Sequence, residues 1–242
     1  MTASAVDRES LLDRVRARTR YHTLELAPGL VTEGMFDLRP VVERYGLPER
    51  LDGLRALDVG TYDGFWALEL ERRGAEVVAL DVDDALDVDW PPRRRPDTGF
   101  SLGDGFALVK EMTGLRAERL VCNVYAASPE EIGYFDLVFC GSVLIHMRDQ
   151  LLALERLAAL CRGQFICAEA YDPLMTLLPF PAARYRADRD ASTVFWAPGA
   201  RTWRRMLWTA GFEQPREHAR FKLRSRHGFS VRHVVLHARG TA

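Results

Sequence analysis

The stretch Leu54–Asp81, LRALDVGTYDGFWALELERRGAEVVALD, organises the rest of the chain. It opens with an apolar run that ends at Asp58, turns through Gly60 and Gly64, continues in a helical pattern, and closes with a second apolar run that ends at Asp81. The order strand, glycine turn, helix, strand is typical of a βαβ unit whose first turn approaches a ligand closely. The stretch therefore predicts a nucleotide-type cofactor site, although the same residues also suit an unrelated α/β turn in which they are only turn formers.

The charges of the glycine turn indicate which cofactor fits. A dinucleotide fingerprint needs uncharged residues beside the pyrophosphate, whereas here Asp58 fills the first glycine position and Asp63 lies further along the turn. Carboxylates repel a pyrophosphate, but they suit a ligand with an amino group and a sulfonium cation, whose carboxylate can bind free backbone N–H groups at the helix start. We therefore expect S-adenosyl-L-methionine, held at Asp58, Gly60 and Asp63, with Asp81 accepting both ribose hydroxyls.

The composition is that of a folded domain. With 242 residues, 48% of them hydrophobic, the chain is long enough for one domain with a sizeable core. No apolar run approaches the roughly 18 residues needed to cross a bilayer, and the N-terminal region lacks the apolar stretch of a secretory signal. We therefore expect a cytoplasmic protein that does not enter a membrane.

Cysteine usage, motifs and charge exclude further classes. The four cysteines are scattered without a C-x-x-C pair, which favours buried thiols, and no metal site is predicted. The sequence has no nucleophile elbow, Walker A loop or H-E-x-x-H, which argues against hydrolases, NTPases and metalloproteases. The formal net charge of −1 argues against wholesale nucleic-acid binding, yet from Arg216 onward Glu217 is the only acidic residue. A basic strand face in this region would be able to hold phosphates.

Strands alternate with helices after residue 50, which predicts an α/β fold with a mostly parallel, doubly wound sheet. The predicted organisation is an N-terminal helical cap and substrate-side loop over residues 1–50, with a helix over residues 7–20, followed by the cofactor domain over residues 51–242. Residues 171–198 break the alternation with prolines and aromatic residues and are interpreted as a lid inserted after the fifth strand. The last two strands are expected to form an antiparallel hairpin at one end of the sheet.

Ligands of such sheets bind outside the carboxyl ends of the strands, so those ends supply the remaining candidates. Asn123 and Val124 come at the end of the third strand, expected over residues 120–124, where the Asn amide and the Val backbone N–H are placed to bind an adenine edge. Cys140, at the end of the fourth strand, is a further residue expected beside the cofactor.

Four residues are candidates for the substrate side. His146 lies a few residues past the fourth strand, where it can take a proton from an attacking group, or simply pack the loop. Glu169 ends the fifth strand and can act as a base or orient a substrate, unless it serves only the loop structure. Tyr21 and His22 begin an irregular Pro- and Gly-rich segment that either covers the cleft or merely connects two helices.

Four segments together carry a family resemblance: YHTLELAPGLVTEG (residues 21–34), LDVGTYDGFWALELERRGAEVVALD (57–81), FDLVFCGSVLIHMRD (135–149) and STVFWAPGARTWRRMLWTAGF (192–212). With them the chain resembles class I S-adenosylmethionine methyltransferases. Within that class it is similar to the group of the tRNA wobble-uridine carboxymethyl transferase and its tRNA 5-methoxyuridine methyltransferase homologues. The resemblance implies a Rossmann-like, seven-stranded sheet with an antiparallel last strand, and cofactor contacts at Gly60, Asp63, Asp81 and the turn after the third strand.

One position departs from that group. Ile145 stands where the carboxymethyl transferase has a Tyr that contributes to its carboxylated cofactor site, so ordinary S-adenosylmethionine is the expected methyl donor. The leading hypothesis is methyl transfer by SN2 displacement onto an O, N or nucleophilic C of a small molecule, such as a secondary metabolite. The alternatives are a tRNA wobble-uridine modifying enzyme that uses the basic C-terminal strands, and a non-catalytic protein that only binds the cofactor.

Overall fold

A computed structural model describes residues 13, 21–91, 95, 101–188 and 193–242. The helix predicted over residues 7–20 lies, apart from residue 13, outside the described residues. Eleven strands lie in the described part of the chain, numbered here in chain order: β1 (Glu25–Ala27), β2 (Leu30–Val31), β3 (Arg55–Val59), β4 (Glu76–Asp81), β5 (Glu118–Val121), β6 (Phe135–Gly141), β7 (Cys161–Ala170), β8 (Ala183–Tyr185), β9 (Trp196–Pro198), β10 (Glu213–Arg224) and β11 (Ser230–Arg239).

Seven of these strands form one sheet in the order β10-β11-β7-β6-β3-β4-β5. The pairs β3–β4, β3–β6, β4–β5 and β6–β7 are parallel, whereas β11 runs antiparallel to both of its neighbours. The order reverses direction between β3 and β6, and this switch point is where open α/β sheets bind ligands. The predicted seven-stranded, mostly parallel sheet with an antiparallel last strand is therefore confirmed.

Helices cover both faces of the sheet. The α-helices span Phe65–Arg72, Asp104–Thr113, Pro129–Ile132, Gln150–Leu160, Pro173–Leu177 and Ala200–Thr209, and 3-10 helices span Arg39–Tyr45, Ala85–Asp87, Val124–Ala126 and Leu144–His146. Alternate residues of the central strands point to two separate cores, as in β6, where Phe139 belongs to one and Val138 to the other. The first core packs under the helix Phe65–Arg72, and the second packs under the helices Gln150–Leu160 and Ala200–Thr209.

Two boundaries differ from the sequence-based expectation for physical reasons. The third strand of the sheet was expected over residues 120–124, but β5 ends at Val121, because the Asn123 side chain accepts the backbone N–H of Tyr125 and starts a 3-10 turn. The segment after Tyr21 was expected to be irregular, yet it contains the antiparallel pair β1–β2. Gly34 lets this hairpin fold back, since a Cβ on it would lie 2.1 Å from the carbonyl carbon of His22.

The segment interpreted as a lid has its own structure where it is described. It contains the helix Pro173–Leu177 and the antiparallel pair β8–β9, and it is held to the loop after β6 by a hydrogen bond from the Phe195 N–H to the Ile145 carbonyl (3.2 Å). Three of the four cysteines are buried and Cys122 is partly exposed. Among the described residues, no helix is long and apolar enough to span a bilayer.

Candidate functional site

A cleft of about 390 Å³ lies at the carboxyl ends of β3, β4, β5 and β6. Its walls come from the glycine turn, the residues that follow β4, β5 and β6, the N-terminal Tyr21 and His22, and Thr193 of the lid. Several of the predicted site residues line it together: Tyr21, His22, Gly60, Asp81, Asn123, Val124 and His146. Asp58, Asp63, Cys140 and Glu169 are buried outside this lining.

The Asp81 carboxylate is held in a fixed orientation at the tip of β4. Its Oδ2 accepts the backbone N–H of Tyr62 (2.8 Å) and its Oδ1 accepts the backbone N–H of Val82 (2.8 Å). A carboxylate offers about four lone-pair positions, so each oxygen keeps capacity for another donor on the cleft side. Burial raises the pKa of Asp81, opposed by these two N–H bonds. The arrangement suits two neighbouring hydroxyl donors, as a ribose presents.

The glycine turn brings its backbone close to the cleft. Gly60 has φ +68°, and a Cβ on it would lie 2.4 Å from Val143 Cγ2, so the turn and the loop after β6 approach each other across a position that has no side chain. The N–H groups of Gly60 and Thr61 both donate to the Leu80 carbonyl, and that of Gly64 donates to Thr61. The expectation of free N–H groups at the helix start is therefore wrong for these three residues.

The carboxylates of Asp58 and Asp63 do not face the cleft, which corrects the sequence-based prediction. Asp58 is 1% exposed beneath the turn, and burial raises its pKa to about 7. Asp63 is also 1% exposed, and both of its oxygens accept hydrogen bonds from His22. The Asp63 charge thus serves an N-terminal histidine rather than a ligand's amino group.

The residues after β5 form the end of the cleft predicted to hold an adenine. Asn123 and Val124 line it, but the Asn123 amide is already engaged, accepting from the Tyr125 N–H and donating to the Asp87 carbonyl (3.1 Å). One donor and one acceptor position of the amide are thus occupied, and the contacts of Asn123 and of the Val124 backbone N–H with an adenine stay predictions.

One wall of the cleft at the end predicted to hold the adenine comes from residues that were not predicted. Asp89 and Trp90 line the cleft, and neither was among the residues predicted from the sequence. The Tyr125 hydroxyl donates to Asp89 Oδ2 (2.6 Å), and that oxygen also accepts the backbone N–H of Arg148 (2.8 Å). The only sequence signal was an aromatic residue beside an acidic one just past β4, which is too common to identify a site.

His22 enters the cleft wall from the N-terminal segment and is oriented by Asp63. The Asp63 carboxylate accepts the His22 backbone N–H (2.8 Å) and its Nδ1–H (2.5 Å). Because the ring proton lies on Nδ1, Nε2 is the basic nitrogen of the neutral ring. The ring is 5.1 Å from that of Phe65 and stands at its edge against Tyr21.

His146 is oriented in the same way by a different group. Its Nδ1 lies 3.1 Å from the Thr193 carbonyl oxygen, which only accepts, so Nδ1 carries the proton and Nε2 is the basic nitrogen. Burial lowers the pKa of His146 below its ordinary value, so the ring is neutral near pH 7. The cleft is therefore lined by two histidines, and in each the Nδ1–H donates a hydrogen bond to an acceptor, Asp63 for His22 and the Thr193 carbonyl for His146.

Tyr21 is held as a neutral phenol. Burial, with the nearby charges of Glu169 and Asp63, raises the pKa of Tyr21 to about 12, and its hydroxyl interacts with that of Ser142. Ser142 has φ +60° and its Oγ lies 2.9 Å from Nε2 of His233, whose pKa burial lowers to about 4. Tyr21 can therefore donate a hydrogen bond in the cleft, but it is a poor base.

Glu169 and Cys140 are corrected as candidates for direct contact. Glu169 is fully buried, and its Oε1 accepts the backbone N–H groups of Val143 (2.9 Å) and Leu144 (3.0 Å). It therefore positions the loop that carries His146. Cys140 is fully buried in the second core, where burial raises the pKa of its thiol well above the ordinary value.

A model of a family described as the methyltransferase domain matches residues 33–214, about three quarters of the chain. The chain belongs to this methyltransferase family. The magnesium-protoporphyrin O-methyltransferase of Rhodobacter capsulatus is 40% identical over 79 residues. That alignment covers 31% of this chain and 34% of the relative, so the match spans about a third of the relative's length.

Solved structures share the fold of this methyltransferase. The N-terminal domain of EvdMO1, crystallised in the presence of SAH and D-fucose, has a TM-score of 0.65 at 19% identity, with 97% of both chains covered. Magnesium protoporphyrin IX methyltransferase from Synechocystis PCC 6803 with bound SAM has a TM-score of 0.54 at 17% identity, covering 84% of this chain and 77% of that one. At these identities the likeness shows the fold alone.

Proposed function

We propose that this methyltransferase moves a methyl group from S-adenosyl-L-methionine to an O, N or nucleophilic C of a small molecule. The observation that carries the proposal is the cleft itself, where the fixed Asp81 carboxylate and two oriented histidines meet at the switch point of the sheet. The family membership supports the reaction type, and relatives crystallised with SAM or SAH support the donor.

The chain offers a defined set of groups to the cofactor. Asp81 binds the ribose hydroxyls, Gly60 leaves space for close backbone approach, and the residues from Cys122 to Tyr125 line the adenine end. When bound, S-adenosylmethionine supplies an electrophilic methyl group on a sulfonium. Because such a transfer is an in-line displacement, the protein contributes mainly by positioning the two reactants and keeping water away.

The histidines provide the proton chemistry. A hydroxyl or an amine that attacks the methyl group must lose a proton, and the Nε2 atom of His146 is oriented to accept it at neutral pH. His22 is the second candidate base, since its Nδ1–H donates to Asp63, which leaves Nε2 as the accepting nitrogen. Tyr21 then donates a hydrogen bond that orients the methyl acceptor.

Small-molecule acceptors are supported by the relatives. The Rhodobacter capsulatus relative is named for magnesium-protoporphyrin, and a Burkholderia thailandensis structure with a TM-score of 0.52 at 18% identity contains 1,6-didemethyltoxoflavin. A secondary metabolite would be a methyl acceptor of comparable size. The test is calorimetric titration with S-adenosylhomocysteine, followed by product detection with isotopically methyl-labelled S-adenosylmethionine and a panel of hydroxylated and nitrogen-heterocyclic compounds. Absence of S-adenosylhomocysteine binding overturns the proposal, and cofactor binding without turnover on any compound favours a non-catalytic binder.

tRNA is the second candidate methyl acceptor. The resemblance to the tRNA wobble-uridine group suggests it, and the exposed cations Arg220, Lys222 and Arg224 on β10 favour it. Transfer of label to tRNA, together with an affinity that falls steeply with salt, would establish this alternative.

A further inference from the structure

Four exposed cations cluster on two neighbouring strands beside the lid. On β10 the buried Phe221 and Leu223 alternate with the exposed Arg220, Lys222 and Arg224, so these three cations share one face of the sheet. Arg232 on β11 lies directly opposite Lys222 and is also exposed. Residues that face each other across an antiparallel pair point to the same side, so all four side chains form one surface.

This arrangement costs folding stability. Two like charges directly opposite each other in a sheet destabilise the strand pair. Here Glu217 pairs with Arg220 through an Oε2–Nη2 contact of 2.5 Å. Among the described residues no ion pair joins Lys222, Arg224 or Arg232. The surface therefore lacks the counter-charge that would balance it from within the described chain.

Protection of a sheet edge does not explain the cluster. Charged residues, Lys above all, are common on edge strands because they prevent pairing with other chains. That argument covers β10, which is the edge of the sheet, but Arg232 lies on β11, an inner strand paired on both sides. A cation on the inner strand opposite Lys222 adds repulsion without adding edge protection.

The cluster lies within reach of the cleft. Tyr171, which follows β7, donates its backbone N–H to the Arg232 carbonyl (3.0 Å), and the Arg220 guanidinium lies 5.4 Å from the Tyr171 ring centroid. Strands β11 and β10 are two and three positions from β6 in the sheet, which corresponds to about 10 and 14 Å at the usual strand spacing. The cluster and the cleft therefore lie at the same edge of the sheet, a few strand spacings apart.

The geometry points to a binding surface for the phosphate groups of a small methyl acceptor, formed by Arg220, Lys222, Arg224 and Arg232. This inference rests on the proposed function, which it deepens by assigning the acceptor to phosphate-bearing small molecules. From Arg220 to Arg224 the surface is about 14 Å long, at 3.4 Å per residue, and it is two strands wide. A surface of this size is long enough to contact one or two phosphates.

The test compares the full chain with a double variant, Lys222→Gln with Arg232→Gln, and with a control, Arg156→Gln, which removes an exposed cation from the helix Gln150–Leu160. Inorganic pyrophosphate is titrated calorimetrically into each protein at low and at physiological ionic strength. The double variant is expected to bind it at least about tenfold more weakly than the wild type, and the control is expected to bind it equally well. Pyrophosphate should also raise the thermal midpoint of the wild type but not that of the double variant.

S-adenosylhomocysteine titrated into the same samples separates this inference from the proposed function. Equal binding of S-adenosylhomocysteine by all three proteins, without pyrophosphate binding to the wild type, overturns the phosphate surface and leaves the methyltransferase proposal standing. Equal pyrophosphate affinity in the wild type and the double variant also overturns it. Tight binding of unfractionated tRNA that pyrophosphate does not displace overturns it in favour of an RNA substrate.

Discussion

The two sides of the cleft are built in different ways. On the side proposed to bind the cofactor ribose, the groups come from one contiguous stretch, in which Asp81 is fixed by Tyr62, nineteen positions earlier, and by its own neighbour Val82. The opposite side is assembled from distant segments: His22 is fixed by Asp63, 41 positions away, and His146 by Thr193, 47 positions away. The first side is specified by a local motif, and the second exists only when the N-terminal segment and the lid are docked.

The two sides of the cleft therefore carry different parts of the proposed function. A local βαβ motif can bind the same cofactor in many proteins, whereas the groups that touch the methyl acceptor depend on the packing of one particular chain. Replacement of residues on the two sides should therefore separate cofactor affinity from turnover.

The largest effect is expected for His146→Asn. The Asn side-chain NH2 can still donate to the Thr193 carbonyl, so the loop contact is kept while the base is removed. Turnover should fall by about 100- to 10,000-fold, with S-adenosylhomocysteine affinity unchanged within about twofold. Steady-state rates and calorimetry measure the two quantities.

The pH profile identifies the base more directly. Because the pKa of His146 is lowered and only the neutral ring accepts a proton, the wild-type rate should rise with pH below about 6.5 and then level off. The control is His22→Asn, which keeps the contact with Asp63. If His22→Asn lowers turnover and flattens this profile while His146→Asn does not, the roles of the two histidines are reversed.

The next largest effect is expected for Asp81→Ala on the cofactor side. Loss of two charge-assisted hydrogen bonds to ribose hydroxyls should weaken S-adenosylhomocysteine binding about 100-fold or more. Calorimetric titration gives the affinity. Asp83→Ala is the matched control, because Asp83 lies two residues away and pairs with Arg119 outside the cleft lining. Equal affinity of wild type and Asp81→Ala would remove Asp81 from the site.

Sequence alone was informative for the first side and less so for the second. The strand, turn and helix of Leu54–Asp81, the position of Asp81 at the end of a strand and the mostly parallel sheet follow from local patterns and were predicted. The carboxylates of Asp58 and Asp63 were placed at the ligand because the sequence shows charge but not burial, and neither residue lines the cleft. For Glu169, the contacts with the Val143 and Leu144 N–H groups fit the loop role that the sequence left open.

The missed residues lack a local signal altogether. Ser142 has a left-handed backbone conformation (φ +60°). Its Oγ contacts His233, which lies 91 positions away in sequence. Thr193 contributes a backbone carbonyl, which any residue type could supply. Such groups are recognised only after the chain is folded, since neither their residue type nor their spacing is unusual.

Asp63→Asn tests whether the acceptor side depends on this long-range packing. The amide can accept only one of the two His22 hydrogen bonds, and it loses the charge that strengthens both. We expect a loss of about 2 kcal/mol in the free energy of unfolding. Asp52→Asn, at an exposed residue paired with Arg50, should leave the unfolding free energy nearly unchanged in the same denaturation experiment. Equal losses in the two variants would show that the buried pair does not secure the N-terminal segment.

The expected effect of Glu169→Gln is a pH dependence rather than a fixed loss. Burial raises the pKa of Glu169 from 4.5 to about 7, so the folded state retains a proton that the unfolded state has released. The contribution of Glu169 to the free energy of unfolding of the wild type is therefore fully present below about pH 4.5 and is lost as the pH rises toward 7. Gln still accepts the Val143 and Leu144 N–H groups but does not titrate, so the variant should gain stability relative to wild type over this range, by at most about 1.4 kcal/mol per pH unit.

Urea denaturation at several pH values between 4.5 and 7.5 measures this difference directly. The comparison between the two proteins cancels the opposing contributions of His146 and His233, whose lowered pKa values make stability rise with pH in both. A difference that stays constant with pH would mean that Glu169 is ionised in the folded protein and binds the loop as a carboxylate. In that case the loop that carries His146 is held by a buried charge, and Glu169→Gln should weaken turnover as well as stability.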